Sequence, residues 1–323
     1  MAAIVAIVLL AAGLGYVLLR RFKPLSAVGH YNLALDFTAQ GQTEKAIHHL
    51  LCSLALDTEQ AAAYYNLAVL YQQQQRLEEA QEQYENALTL EPEDVLSLYN
   101  LGLIQYNQKR YEDALSVLDR ALAIAPEDAD IHYARGLVLE EQNNLEGACQ
   151  AYQSCCERDA ANVSATLLLG KVFDRLNRFP EAIESYLRVL ELDPNNLEAT
   201  YELSISKAKS GDWEGTIQYC QKTLGIDPNY ARAYNQLGLA FYCTNRLPES
   251  IENYKRALEL DPSYATAYNN LGYAYEKQRD FKNAISMFEY YLTLTQDATE
   301  QADIKTHLEL LGNKLAGGQK QAE

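Results

Sequence analysis

A chain of 323 residues with 27 basic and 44 acidic side chains, net charge −17, is long enough for a sizeable core and too acidic to grip nucleic acid through its phosphates. None of its six cysteines forms a Cys-x-x-Cys, and His48 and His49 are adjacent and point to different helix faces, so neither a zinc site nor a disulfide framework is expected. The sequence also lacks a phosphate-cradling glycine loop, a Gly-x-Ser-x-Gly and a His-Glu-x-x-His, which leaves no catalytic residue, cofactor or small-molecule substrate to assign.

In chain order, the first feature is an uncharged apolar run over residues 2–19, followed at once by Arg20, Arg21 and Lys23. As a helix the run would be roughly 27 Å long, close to the ~30 Å hydrocarbon core of a bilayer. A secretory signal needs a basic leading region and a small-residue cleavage site, and neither is evident. The expectation is therefore a transmembrane anchor with a basic collar over 1–23 and a short tether over 24–26. Basic residues on its carboxyl side would place everything after it on the cytoplasmic side, as a single-pass membrane protein.

From residue 27 onward one pattern recurs every 34 residues. In the copy starting at Ala61, the spacing of Tyr64, Leu67, Ala68 and Tyr71 marks one face of a first helix. Leu77, Ala80, Tyr84, Ala87 and Leu88 mark one face of a second. Pro92, Pro126, Pro194, Pro228 and Pro262 recur at the same interval, and each reads as a helix start, where a missing amide hydrogen is tolerated. Ala34, Ala68, Gly102, Gly136, Gly170, Ser204, Gly238 and Gly272 supply a small residue at a close helix contact. Its expected counterpart on the second helix is the small row Ala46, Ala80, Ala114, Ala148, Ala182, Thr216, Ser250 and Ala284. Between the two helices Gly41, Asn143, Asn177, Gly211 and Asn245 suit a left-handed turn. Cys149, Cys155, Cys156 and Cys220 occupy positions held elsewhere by Leu, Ile, Ala or Tyr, so they read as small buried hydrophobes.

These residues resemble the tetratricopeptide repeat family, most closely at Tyr234, Leu237, Gly238, Phe241, Tyr254, Ala257 and Pro262 and at Tyr268, Leu271, Gly272, Tyr275, Ala284 and Phe288. The resemblance implies an all-α fold: a right-handed α-solenoid of eight 34-residue helix-turn-helix repeats over 27–298. Residues 299–316 read as an amphipathic capping helix and 317–323 as a disordered tail. With the anchor, the layout resembles cyanobacterial and plastid repeat proteins that assist photosystem assembly or chlorophyll synthesis.

The family binds proteins along a concave groove lined by first helices. That resemblance singles out a row of Tyr31, Tyr65, Tyr99 and Tyr133 beside Asn32, Asn66 and Asn100 as the partner-binding groove. Tyrosine gives contact area at low entropic cost, and asparagine pairs with a peptide backbone. Packing between neighbouring helices would explain the tyrosines equally well, and the two readings stay open here. The clamp by which some members hold a chaperone's terminal carboxylate is missing, since its basic places carry Tyr31, Leu96 and Asn100 and only Asn66 survives. The expected function is a membrane-tethered scaffold that captures protein or peptide partners and helps assemble or localise complexes. The alternative is an envelope-assembly factor facing the periplasm. The repeat at 197–230, with Ser204, Lys207, Thr216, Cys220 and Thr223 where other repeats carry larger or more apolar residues, is expected to be the weakest link.

Overall fold

The structure of the protein, a computed structural model, describes residues 25–319. Seventeen α-helices account for almost all of them, and the chain divides after Gln142 into two compact units. The first unit holds α1 (Ala27–Ala39), α2 (Thr43–Leu56), α3 (Ala61–Gln73), α4 (Leu77–Leu90), α5 (Val95–Asn107), α6 (Tyr111–Ile124) and α7 (Ala129–Glu141). The second holds α8 (Leu145–Arg158), α9 (Val163–Arg175), α10 (Phe179–Leu192), α11 (Leu197–Lys209), α12 (Trp213–Ile226), α13 (Ala231–Cys243), α14 (Leu247–Leu260), α15 (Ala265–Lys277), α16 (Phe281–Leu294) and α17 (Ala298–Gln319). Helix starts therefore recur at a constant step of 34 residues, from Ala27 to Ala265 for first helices and from Thr43 to Phe281 for second helices.

The local chemistry explains these boundaries. Asp94, Asp128, Asn162 and Asn196 cap α5, α7, α9 and α11 with a side-chain oxygen on a free amide of the first turn. Seven of the eight second helices start either with such a cap, at Asn144, Asp212 and Asp280, or with an arginine that pairs with a first-turn carboxylate: Arg76–Glu79, Arg110–Asp113, Arg178–Glu181 and Arg246–Glu249; α2, after Gln42, has neither. The turn inside each repeat passes through one residue at positive φ. Gly41, Asn143, Asn177, Gly211 and Asn245 behave as expected, and Gln75, Lys109 and Arg279 adopt the same φ of 60 to 65°. The five prolines at 34-residue steps do not start helices; Pro92, for example, sits in the turn after α4, ahead of the capping Asp94. Pro180 and Pro248 do lie in the first turns of α10 and α14.

Packing within a repeat differs from the expected small-on-small contact. A Cβ added to Gly170 would come within 2.7 Å of the Tyr186 ring, one on Gly238 within 2.7 Å of Tyr254 and one on Gly272 within 2.7 Å of Phe288. The glycine thus makes room for a large ring from the second helix. Tyr186, Tyr254 and Phe288 are all but fully buried in this way, as is Tyr84 in the repeat whose small residue is Ala68, each contributing on the order of 4 kcal/mol from its apolar area.

The expected membrane helix is corrected here. Among the described residues no helix is long and apolar enough to cross a membrane. The first sixteen have 13 or 14 residues, about 20 Å of helix, and α17, with 22, is strewn with charged and polar side chains. Residues 2–19 and the collar Arg20, Arg21 and Lys23 lie outside the described residues. Among the described residues the fold is an all-α repeat stack with no membrane-spanning helix, so the single-pass, cytoplasm-facing placement is not supported.

Candidate functional site

Successive first helices touch one another, as α5 and α7 do in the first unit and α9, α11, α13 and α15 do in the second, whereas no comparable contact joins successive second helices. Within each unit the first helices therefore line the inner side. The tyrosine and asparagine rows lie on first helices of the first unit. Tyr31, Tyr65, Tyr99 and Tyr133 are half-buried, Asn66 and Asn100 are half-buried, and Asn32 is exposed.

The two rows meet. Asn66 Nδ2 donates to the Tyr31 hydroxyl at 2.9 Å, from one repeat to the one before it. Asn100 lies near enough to Tyr65 to pull its phenol pKa down against burial, and donates Nδ2 to the Leu96 carbonyl of its own helix at 2.9 Å. Asn270 Nδ2 repeats the pattern in the second unit, on Asn235 Oδ1 at 3.0 Å. The Tyr65 ring lies 5.9 Å from that of Tyr84, whose hydroxyl donates to Gln72 Oε1 at 2.9 Å. Burial raises the phenol pKa of Tyr65 and Tyr99, and nearby Asp94 raises the first further while Asp130 and Asp128 raise the second. Both remain neutral hydrogen-bonding groups at physiological pH. Beside Tyr65 a recess of about 140 Å³ is bounded by Ala61, Ala62, Asp94 and Leu96.

Sequence reasoning missed a third row, one helical turn after the tyrosines: Leu35, Val69, Leu103 and Leu137 in the first unit. Leu35 is 41% exposed, and Val28 and Leu96, near the starts of α1 and α5, are 62% and 56% exposed. The 34-residue step from Leu35 carries this signal as plainly as the step from Tyr31. The inner face of the first unit is thus aromatic and aliphatic with carboxylates at its edge.

The second unit differs. Its counterparts in the aliphatic row are Lys171, Ile205, Leu239 and Tyr273. Lys171 pairs with Glu198 at 2.5 Å, and Asp174 accepts from the Tyr186 hydroxyl at 3.0 Å and Ser206 Oγ at 2.6 Å. On the outer side a 380 Å³ recess between α8 and α10 has Leu169 and Phe173 among its lining, with Arg178, Glu181 and Arg188 charged beside them. Cys156 lines it where every other repeat holds a leucine, among them Leu88, Leu122, Leu190 and Leu224. Cys149, Cys155 and Cys220 are buried, Cys52 and Cys156 are half-buried, and Cys243 is exposed. Among the described residues no group of three or more His, Cys, Asp and Glu side chains could hold a metal ion.

The family model described as Tetratricopeptide repeat matches residues 67–129, 118–163 and 167–231, half of the chain. The chain belongs to the tetratricopeptide repeat family. Two related models match residues 34–75 and 242–278, and 265–297. No curated protein matches. Among solved structures, the C-terminal part of a TPR repeat-containing protein from Cytophaga hutchinsonii is 17% identical, over 74% of this chain and 98% of its own, with a TM-score of 0.63. A tetratricopeptide repeat protein from Parabacteroides merdae is 17% identical, over 78% and 98%, with a TM-score of 0.54. At such identity both show the fold alone. YrrB, described as a TPR protein with an unusual peptide-binding site, is 22% identical over 58% of this chain and 97% of its own, and its TM-score of 0.49 is too low to carry an argument.

Proposed function

We propose that this tetratricopeptide repeat protein is a non-catalytic scaffold that captures extended segments of partner proteins on the inner face of its first helices and so helps complexes assemble. The observation that supports this reading is the uncovered apolar surface of the first unit, where Val28, Leu35 and Leu96 are 62%, 41% and 56% exposed beside the tyrosine row. Leaving large aliphatic side chains in water costs solubility with no gain to the fold, so their recurrence beside the tyrosine row favours a place that another chain covers. Tyr31, Tyr65, Tyr99 and Tyr133 would supply ring contact, and Asn32, the exposed amide of the row, would fix backbone register at the amino-terminal end.

Photo-crosslinking residues placed at Leu35, Leu96 and Leu103, and at the outward Leu187 of α10 as a comparison, would test the reading in cell extract. Adducts with discrete proteins are expected from the three inner sites. Adducts from Leu187 alone would move the binding surface to the outer side and overturn it.

A further inference from the structure

First helices in this chain begin with Ser26, Asp94, Asp128, Asn162 and Asn196, each accepting a hydrogen bond from a first-turn amide. Gln60 caps nothing, and at α13 and α15 the cap is lost again, because Tyr230 and Tyr264 occupy the place. Giving up an Asp or Asn cap leaves a first-turn amide without its side-chain acceptor and weakens the helix start. A bulky ring that breaks the local rule in two successive repeats calls for another role. The Tyr230 ring meets Tyr201 edge-on at 5.0 Å, and Tyr264 is near enough to both to raise the Tyr201 pKa after burial has done so. Two rings, Tyr201 and Tyr230, thus meet at α11 in the second unit, and Tyr264 lies within electrostatic reach of both.

Next to Tyr201 in sequence is Glu202. It stands where Asn66 and Asn100 stand in the first unit, but the residue 35 earlier is Leu167, so no tyrosine hydroxyl meets it. Half-buried, its carboxylate takes part in none of the hydrogen bonds or ion pairs formed among the described residues, and burial raises its pKa against the pull of Lys171. Glu198, one turn earlier, is already held by Lys171 at 2.5 Å. On α9, Asp174 is 7% exposed, and its Oδ1 has no hydrogen-bond partner, with Lys209 Nζ at 3.5 Å. Arg232 is exposed and favours the ionised forms of Tyr230 and Tyr264 without an ion pair of its own among the described residues. Among the described residues Glu202 is thus the carboxylate of this group without an ion pair, next in sequence to Tyr201, whose ring meets that of Tyr230 edge-on.

We propose that Tyr201, Tyr230, Tyr264 and Glu202 form a subsite for a guanidinium group, the side chain of an arginine on a bound segment. A planar, weakly hydrated cation stacks on tyrosine faces and presents two parallel N–H groups to one carboxylate, which a lysine ammonium does not. Placing that arginine on a captured partner rests on the groove reading above; the subsite itself rests on these four side chains.

Fluorescence polarisation of a labelled Gly-Gly-Arg-Gly-Gly peptide at low ionic strength tests it, against the same peptide with citrulline, which keeps the shape and loses the charge. The variants are Glu202→Gln, Tyr230→Asn, which restores a cap and so should fold at least as well, and the exposed control Glu289→Gln. Expected are binding of the arginine peptide by wild type and Glu289→Gln, a loss of about tenfold or more in the other two, and a similar loss for citrulline. No binding by wild type, equal binding of citrulline, or equal weakening by Glu289→Gln, as general attraction to an acidic surface would give, overturns the proposal. Arginine binding retained in a protein whose inner face yields no crosslinks would leave the subsite standing and the proposed function fallen.

Discussion

Asn66 hands an amide hydrogen to the hydroxyl of Tyr31, 2.9 Å away in the preceding repeat. The pair joins the two rows that sequence alone left separate, and it ties both to the fold. A tyrosine hydroxyl on one first helix and an amide on the next form a rung that fixes how far successive repeats are rotated. The amides of Asn66 and Asn100 are therefore engaged in the fold before any partner arrives.

Replacing Asn66 and Asn100 by alanine should accordingly lower stability, by about 0.5–1.5 kcal/mol for each half-buried hydrogen bond lost. Urea denaturation of the double variant should show a reduced midpoint. A midpoint equal to wild type would mean that water replaces the rungs at no cost.

The repeat length, the helix pairs and the left-handed turns were legible in the sequence because each rests on residue type at a fixed step. Gln75, Lys109 and Arg279 escaped notice because nothing in their chemistry favours positive φ; there the packing of two helices imposes the turn. The ring above each glycine was hidden for a related reason, since the small row and the aromatic row are both visible but which faces which depends on the crossing of the helices. The rungs escaped because they link positions 35 apart in a pattern of period 34. Tyr230 and Tyr264 looked like ordinary variation until their rings were placed beside Tyr201.

The glycine contacts make a paired prediction. Gly238→Ala should destabilise by about 1–3 kcal/mol, because its Cβ would lie 2.7 Å from the fully packed Tyr254 ring. Gly225→Ala, near the end of α12 with nothing within 4 Å of the new Cβ, should instead stabilise by up to about 1 kcal/mol through helix propensity. Equal shifts of thermal midpoint in the two variants would contradict the packing described.

A pH response belongs to α1 and α2, where His30 Nδ1 and His49 Nδ1 are 2.9 Å apart. One ring donates and the other accepts, so a second proton has no place. Burial, then His30 and His48, holds the His49 pKa below its ordinary 6.5. A depressed histidine pKa favours the neutral form in the fold. Its contribution is complete above pH 6.5 and is lost as pH falls through the lower folded value. Hydrogen exchange should show α1 and α2 losing protection on acidification from pH 7 to 5, and His49→Gln should flatten that dependence. An unchanged slope in the variant would assign the response to other groups.

The last prediction concerns the repeat formed by α11 and α12. Where other repeats seat a tyrosine, phenylalanine or leucine over a small residue, this one places Cys220 against Ser204, with Thr216 and Thr223 close by, all fully buried. The hydroxyls bond backbone carbonyls of their own helices, Ser204 to Tyr201, Thr216 to Asp212 and Thr223 to Tyr219, so polarity is satisfied. What is missing is apolar area, and in a nearly one-dimensional stack such a repeat opens first. Burial pushes the Cys220 thiol up to about 12, with the neighbouring Ser204 side chain pulling the other way, so in the closed state it is protonated and shielded. A disulfide reagent at pH 7.5 should modify exposed Cys243 at once and Cys220 only through opening of α11 and α12. Cys155, fully buried in α8 of the same unit behind Tyr152, provides the comparison. Cys220 should react before Cys155, at a rate that rises when Ser204 is changed to glycine. A single shared rate for Cys155 and Cys220 would mean that the unit opens as one, and that the polar repeat is no weaker than its neighbours.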